Sequence, residues 1–161
     1  MKIVSNTSPI TSLAAVRQLE ILQQLYRHIV IPQAVTLELT GAGPAVPGAT
    51  EVQTSGWIET RQVRNQALVQ ALRQKVDPGE AEAIALAIEL HADRLIIDER
   101  RGRKIAASMG IKYIGILGVL LEAKNSNFIT DVKPIIDDLI VIAGFRISPR
   151  LYTDILEVAG E

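Results

Sequence analysis

The chain contains no cysteine. That excludes a disulfide framework, a thiolate metal site and a cysteine nucleophile at once. Histidine is nearly as scarce. His28 stands at the start of an apolar run and His91 at the end of a helical one, so both read as surface or capping residues and zinc has little support. No apolar run approaches the length needed to cross a bilayer; Leu139–Ala143 is core-sized. The first five residues carry neither a basic stretch nor a long apolar one, so no secretory signal is expected and a cytoplasmic location is. Neither G-x-x-x-x-G-K-[ST] nor a G-x-G-x-x-G after a strand is present, which argues against a nucleotide-binding protein. Charge of either sign is not in excess: the net is −1, so the surface as a whole is no non-specific nucleic-acid coat. A local basic groove remains compatible with that balance.

What is present is an ordinary globular composition, 48% hydrophobic and 22% charged over 161 residues, enough for one domain over 1–161 with a real core. Strand-like and helix-like segments alternate, the pattern of an α/β fold with a mainly parallel sheet. Strands are expected at 2–5, 28–32, 94–98 and 111–115, with an edge strand at 57–63. Helices are expected at 9–26 (broken near Val16-Arg17), 33–39, 65–74, 77–92, 100–109 and from 116 to Lys124, and the tail 131–161 reads as two helices around "GFRIS". "TGAGPAVPGAT", 40–50, reads as a loop.

In open parallel sheets, ligands bind beyond the carboxyl ends of the strands. The residues there are Asn6-Thr7-Ser8 after the first strand and Asp98-Glu99 after the fourth. Glu38 sits in a short helix and Glu80 in the first turn of another. Each has a purely structural explanation beside the functional one. Ser8 before Pro9 suits a helix N-cap with proline at the first helical position. Asp77-Pro78-Gly79-Glu80 suits a variant capping box. Asp98 suits a cap for the helix that follows. Glu38 lies on or beside the apolar stripe of its helix and, turned inward, needs a cation or several hydrogen bonds. With strands 2–5 and 94–98 as neighbours, Asn6 and Asp98 emerge side by side. Clustered carboxylates repel, and a hard cation held by oxygen ligands is the usual remedy, which favours Mg²⁺ or Mn²⁺.

"SNTSPI", "IPQAVTLEL", "DPGEAEAIALA", "LIIDERRGRKIA" and "GFRISPRLY" together resemble PIN-domain proteins over essentially the whole chain, in particular a compact VapC-like toxin-nuclease branch. The run from Asp77 to Ala106 is the most specific part. The resemblance implies a three-layer α/β/α sandwich, a Mg²⁺- or Mn²⁺-dependent ribonuclease activity, a small antitoxin partner and a homodimer. Carried over by position, the catalytic and metal-holding cluster is Asn6, Glu38, Glu80 and Asp98, with Thr7, Ser8 and Glu99 in support. Arg100, Arg101, Arg103 and Lys104 then attract the phosphates of RNA; the other reading of that run is a solvated helix face. The departure is Asn6, where the family pattern has Asp. An amide offers an oxygen but no charge. That leaves a second expectation open, a weakly active or inactive PIN-like module that binds RNA or a protein partner.

Overall fold

The computed structural model describes residues 1–161. Five short strands, β1 (Ile3–Ser5), β2 (Ile29–Pro32), β3 (Ile58–Arg61), β4 (Arg94–Ile96) and β5 (Tyr113–Ile114), form one parallel sheet in the order β3-β2-β1-β4-β5. The order reverses between β1 and β4, so the topological switch point lies where Asn6 and Asp98 leave the sheet.

Strand residues alternate between two buried layers, as pleated backbone requires. Ile3, Ile29, Ile31, Ile58 and Ile96 enter one core, with side chains of α1 (Thr7–Ala15), α2 (Glu20–Tyr26), α3 (Gln33–Thr40), α8 (Ile116–Asn125) and α9 (Lys133–Val141). Val4, Val30, Leu95 and Ile97 enter the other, with α5 (Gln66–Leu72), α6 (Pro78–Glu89) and α7 (Arg100–Ser108). Two cores around one sheet make the three-layer α/β/α sandwich that the family resemblance implied. α6 is the central helix of the second layer. Eight of its residues are buried, and several are alanines that let it lie close to the sheet.

The helix expected over 9–26 is two helices, broken at Arg17, whose φ of 60° ends the first. A short helix, α4 (Ala49–Thr54), follows the Gly- and Pro-rich loop; Gly48 before it sits at φ 95°. In the tail, α9 and α10 (Pro149–Val158) flank the 144–148 segment, and Ser148 caps α10 by accepting from Leu151 N. No helix is long and apolar enough to cross a membrane.

Two capping expectations fail. Ser8 does not cap α1: Asn6 N donates to Ile96 O at 3.0 Å, the ladder runs to the last possible residue, and the helix starts at Thr7. Asn6 is therefore the cap position, yet its side chain caps nothing. Pro9 still falls in the first turn, where its missing N–H breaks no helical bond. Asp98 does not cap α7 either. Its Oδ1 accepts from Ile116 N at 2.9 Å, at the start of α8. The expected cap at Asp77 is present, its Oδ1 accepting from Glu80 N at 2.8 Å.

Candidate metal centre

The carboxyl end of β1 and the N-terminal ends of α1 and α6 enclose a cavity of about 380 Å³. Asn6, Thr7, Ser8, Glu38, Glu80 and Glu99 all line it. Thr11, Ser12 and Asp77 complete its polar wall, and Ala143 is its one apolar residue. Thr7 with Thr11 and Ser8 with Ser12 are i,i+4 pairs, so α1 turns a double row of hydroxyls to the cavity.

Asn6 is 4% exposed, and its Oδ1 is the one buried side-chain oxygen or nitrogen without a hydrogen-bond partner. A buried carbonyl oxygen left so costs on the order of 1–3 kcal/mol. Glu80, 6% exposed, is also ill at ease. Burial first, then the adjoining Asp77, then the charges of Glu99 and Glu38 push its carboxyl up to about 8. Glu38 is better served: Gly79 N donates to its Oε1 at 3.1 Å and the Thr7 hydroxyl donates to its Oε2. These bonds hold the carboxylate, whose residue is otherwise exposed.

Two glycines make the arrangement possible. A Cβ on Gly79 would stand 2.6 Å from Glu38 Oε1, and one on Gly102 would stand 2.8 Å from Glu80 Oε2 and 2.6 Å from Ile97 Cδ1. A side chain at either position would displace those side-chain ends, and with them the present placement of Glu38 and Glu80.

Asp98 does not join Asn6, Glu38 and Glu80 in this cavity, contrary to the expected convergence. It lines the next one, with Ser8, Ser12, Glu99, Phe145 and Arg146. Register explains the divergence. Val4 pairs with Leu95 and Ser5 with Ile96, so Asn6 continues the face of Val4 while Asp98 continues the face of Ile96. A one-residue offset sends a side chain to the opposite side of a sheet. Asp98 thus meets α8, and Asn6 meets α6. Burial raises the Asp98 carboxyl, while the Ile116 N–H and the Arg103 guanidinium work the other way.

The basic run after Glu99 is likewise divided. Arg101 turns toward the α5–α6 connection and donates to Lys75 O at 3.1 Å. Arg103 turns the other way, 6.0 Å over the Tyr113 ring and beside Asp98. Arg100 and Lys104 are exposed. Sequence reading passed over Thr11, Ser12, Asp77 as a lining residue, Arg73, Lys75, Phe145 and Arg146. The hydroxyls left a sign in the repeated Thr-Ser of "TSPITS" at helical spacing, and Phe145 and Arg146 lie in the "GFRIS" of the tail.

The donor set fits a hard divalent cation in kind. It is all oxygen, it includes a carbonyl with no partner, and it crowds carboxylates that one cation would relieve. As the side chains stand, no three His, Asp or Glu side chains form a group able to hold an ion. Asn6 and Glu80 are the groups without hydrogen-bond donors of their own, while Glu38 and Asp98 are already engaged.

Comparison with known proteins agrees with the fold. A search of curated proteins finds no match. A PilT N-terminus domain protein from the hyperthermophilic archaeon Sulfolobus solfataricus P2 is similar in structure. Its TM-score is 0.54 at 22% identity, over 76% of this chain and 93% of that one. The family model DUF3368, described as a PIN domain, matches residues 2–161, and on that match the chain belongs to the PIN-domain family.

Proposed function

We propose that the protein is a Mg²⁺- or Mn²⁺-dependent phosphodiesterase that cuts RNA, with Asn6 and Glu80 as the core of its metal centre. PIN domains are usually nucleases, generally depend on divalent metals and commonly bind RNA. The observation that carries the reading for this chain is the orphaned Asn6 Oδ1, buried in a cavity with three glutamates at the switch point of a parallel sheet.

Asn6 Oδ1 and a Glu80 carboxylate oxygen would hold the ion, and Glu38 and Glu99 would supply further negative charge around it. The chemistry such an ion supplies is acidification of a water and neutralisation of charge on the scissile phosphate. The chain's own residues do the rest. Thr7 and the Gly79 N–H orient Glu38. The hydroxyls of Ser8 and Ser12 are donors for phosphate oxygens along the α1 wall. Asp98 works at one remove, fixing the start of α8 beside the groove. Arg101 attracts the strand through a charge term that salt weakens. A small antitoxin, cytoplasmic action and a homodimer extend the VapC-like form of the proposal.

The test is cleavage of a mixed RNA pool with Mn²⁺, wild type against Glu80→Gln. Cleavage that EDTA stops and Glu80→Gln abolishes supports the reading. Wild-type protein that binds RNA without cutting it favours the second reading, a binding module. What supports that alternative is the amide at Asn6 and the prior engagement of Glu38 and Asp98.

A further inference from the structure

Beside the acidic cavity opens another of about 480 Å³, and the two share Asp77, Glu80 and Glu99 along their common rim. Its outer wall is built from the α5–α6 connection and the first turn of α7, and it carries Arg73, Lys75 and Arg101. Val76 is its only hydrophobic residue, so it offers nothing to an apolar ligand. All three cations are exposed. None of them takes part in any of the chain's five ion pairs, although three acids line the same space. The bond from Arg101 Nη1 to Lys75 O ties the two parts of the wall together. Three cations on two chain segments, held together and left unneutralised, suit a ligand with regularly spaced anionic groups.

We propose that this cleft is a phosphate subsite, in which Arg73, Lys75 and Arg101 hold the backbone of an RNA strand on one side of the acidic cavity. The assignment rests on the reading of that cavity as a phosphodiesterase centre, and it adds Arg73 and Lys75, which lie outside the basic run of α7. The far side of the acidic cavity is lined differently, by Phe145 and Arg146. The two flanks are therefore chemically unequal.

The test is binding rather than cleavage. A fluorescein-labelled single-stranded RNA oligonucleotide is titrated by anisotropy, in EDTA, over a series of salt concentrations. Wild type is expected to bind with an affinity that falls linearly on a log–log salt plot. Arg73→Ala/Lys75→Ala is expected to bind about tenfold more weakly or worse at low salt, with the slope reduced by roughly 0.7 for each lost cation. Its melting temperature stays that of wild type, because both side chains are exposed. Arg61→Ala/Arg64→Ala, at the β3 edge of the sheet, is the control and keeps wild-type binding. The proposal is overturned by any of three results: no wild-type binding, an unchanged slope in Arg73→Ala/Lys75→Ala, or an equal loss in the control. Hexaglutamate that displaces the labelled RNA at a lower concentration than unlabelled RNA of equal charge also overturns it and points to an acidic protein partner. Because EDTA removes cleavage from the assay, RNA binding that depends on Arg73 and Lys75 stands even where Mn²⁺ produces no cutting. In that case only the phosphodiesterase reading fails.

Discussion

Glu80 and Glu161 are both carboxylates drawn against the protein, and their surroundings treat them oppositely. Glu161 Oε2 accepts from Lys124 Nζ and from Val132 N, each at 2.8 Å, and its Oε1 accepts from Lys133 N at 3.0 Å. It sits on the N-terminal end of α9, where a helix favours an anion. Burial acts against its ionisation, but these donors prevail and hold the carboxyl down at about 2. No such donor reaches the Glu80 carboxylate, which has Asp77, Glu99 and Glu38 for neighbours and is pushed up to about 8. One region uses its acid to fasten α8, α9 and the tail. The other keeps its acid protonated where an ordinary carboxyl is ionised. A carboxylate whose ionisation is disfavoured until something positive arrives is a mark of a binding site.

The largest expected effect comes from making that crowding worse. Asn6→Asp adds a carboxylate at 4% exposure to a cavity that already holds Glu38, Glu80 and Glu99. In EDTA at pH 8 the variant is expected to lose about 2–4 kcal/mol in urea unfolding. Millimolar Mn²⁺ is expected to recover most of it, since a ligand bound only by the native state stabilises that state by mass action. Titration calorimetry then shows tighter Mn²⁺ binding than in wild type. An Asn6→Asp variant as stable as wild type in EDTA and indifferent to Mn²⁺ would mean that Asn6 faces no metal centre.

Removing the disfavoured charge is the next largest. Because the folded carboxyl of Glu80 titrates near 8 and an ordinary one near 4.5, the native state holds the proton more firmly than the unfolded chain. Its contribution to stability is complete below about 4.5 and is lost as pH rises toward 8. Glu80→Gln removes that loss. In EDTA the variant is expected to exceed wild type by roughly 1–3 kcal/mol at pH 8. At pH 4.5 the two converge. A constant difference across that range would show that Glu80 does not titrate there.

The smallest effect belongs to the fastened acid, and it has the opposite pH dependence. Glu161 has a lowered carboxyl, so its stabilisation is present above about 4.5 and is lost as pH falls toward 2. Glu161→Gln keeps the shape, weakens three charge-assisted bonds and is expected to lower the melting temperature by a few degrees at pH 7. At pH 2 the difference vanishes. Wild-type melting at pH 7 in the variant would mean that α9 holds its place without the clasp.

Much of the fold was legible before any coordinates. Short apolar runs bounded by polar residues marked the strands, and the Asp77 cap with Pro78 marked the start of α6. The break at Arg17 was legible too, since helix periodicity falters there. The start of α1 was misjudged because Pro9 looked like a first helical residue; the bond from Asn6 N to Ile96 O decides instead. α4 was missed because six residues carry too little periodicity beside a loop rich in Gly and Pro. The cationic cleft was unreadable for a different reason. Arg73 and Lys75 precede α6 and Arg101 opens α7, and only the packing of α6 against α5 and α7 brings them to one cleft.

By itself the sequence determined the class of chemistry: with no cysteine, two peripheral histidines and acids after the strands, only oxygen donors are available to a cation. It also determined that the residue leaving the first strand, Asn6, is an amide rather than a carboxylate. Tertiary structure alone decided which acids share a cavity. Asn6 and Asp98 follow neighbouring strands and read as equivalent, yet pairing between residues more than ninety apart sets their register one residue out of step. Side chains alternate faces along a strand, so that single step sends Asp98 to α8 and leaves Asn6 with Glu80.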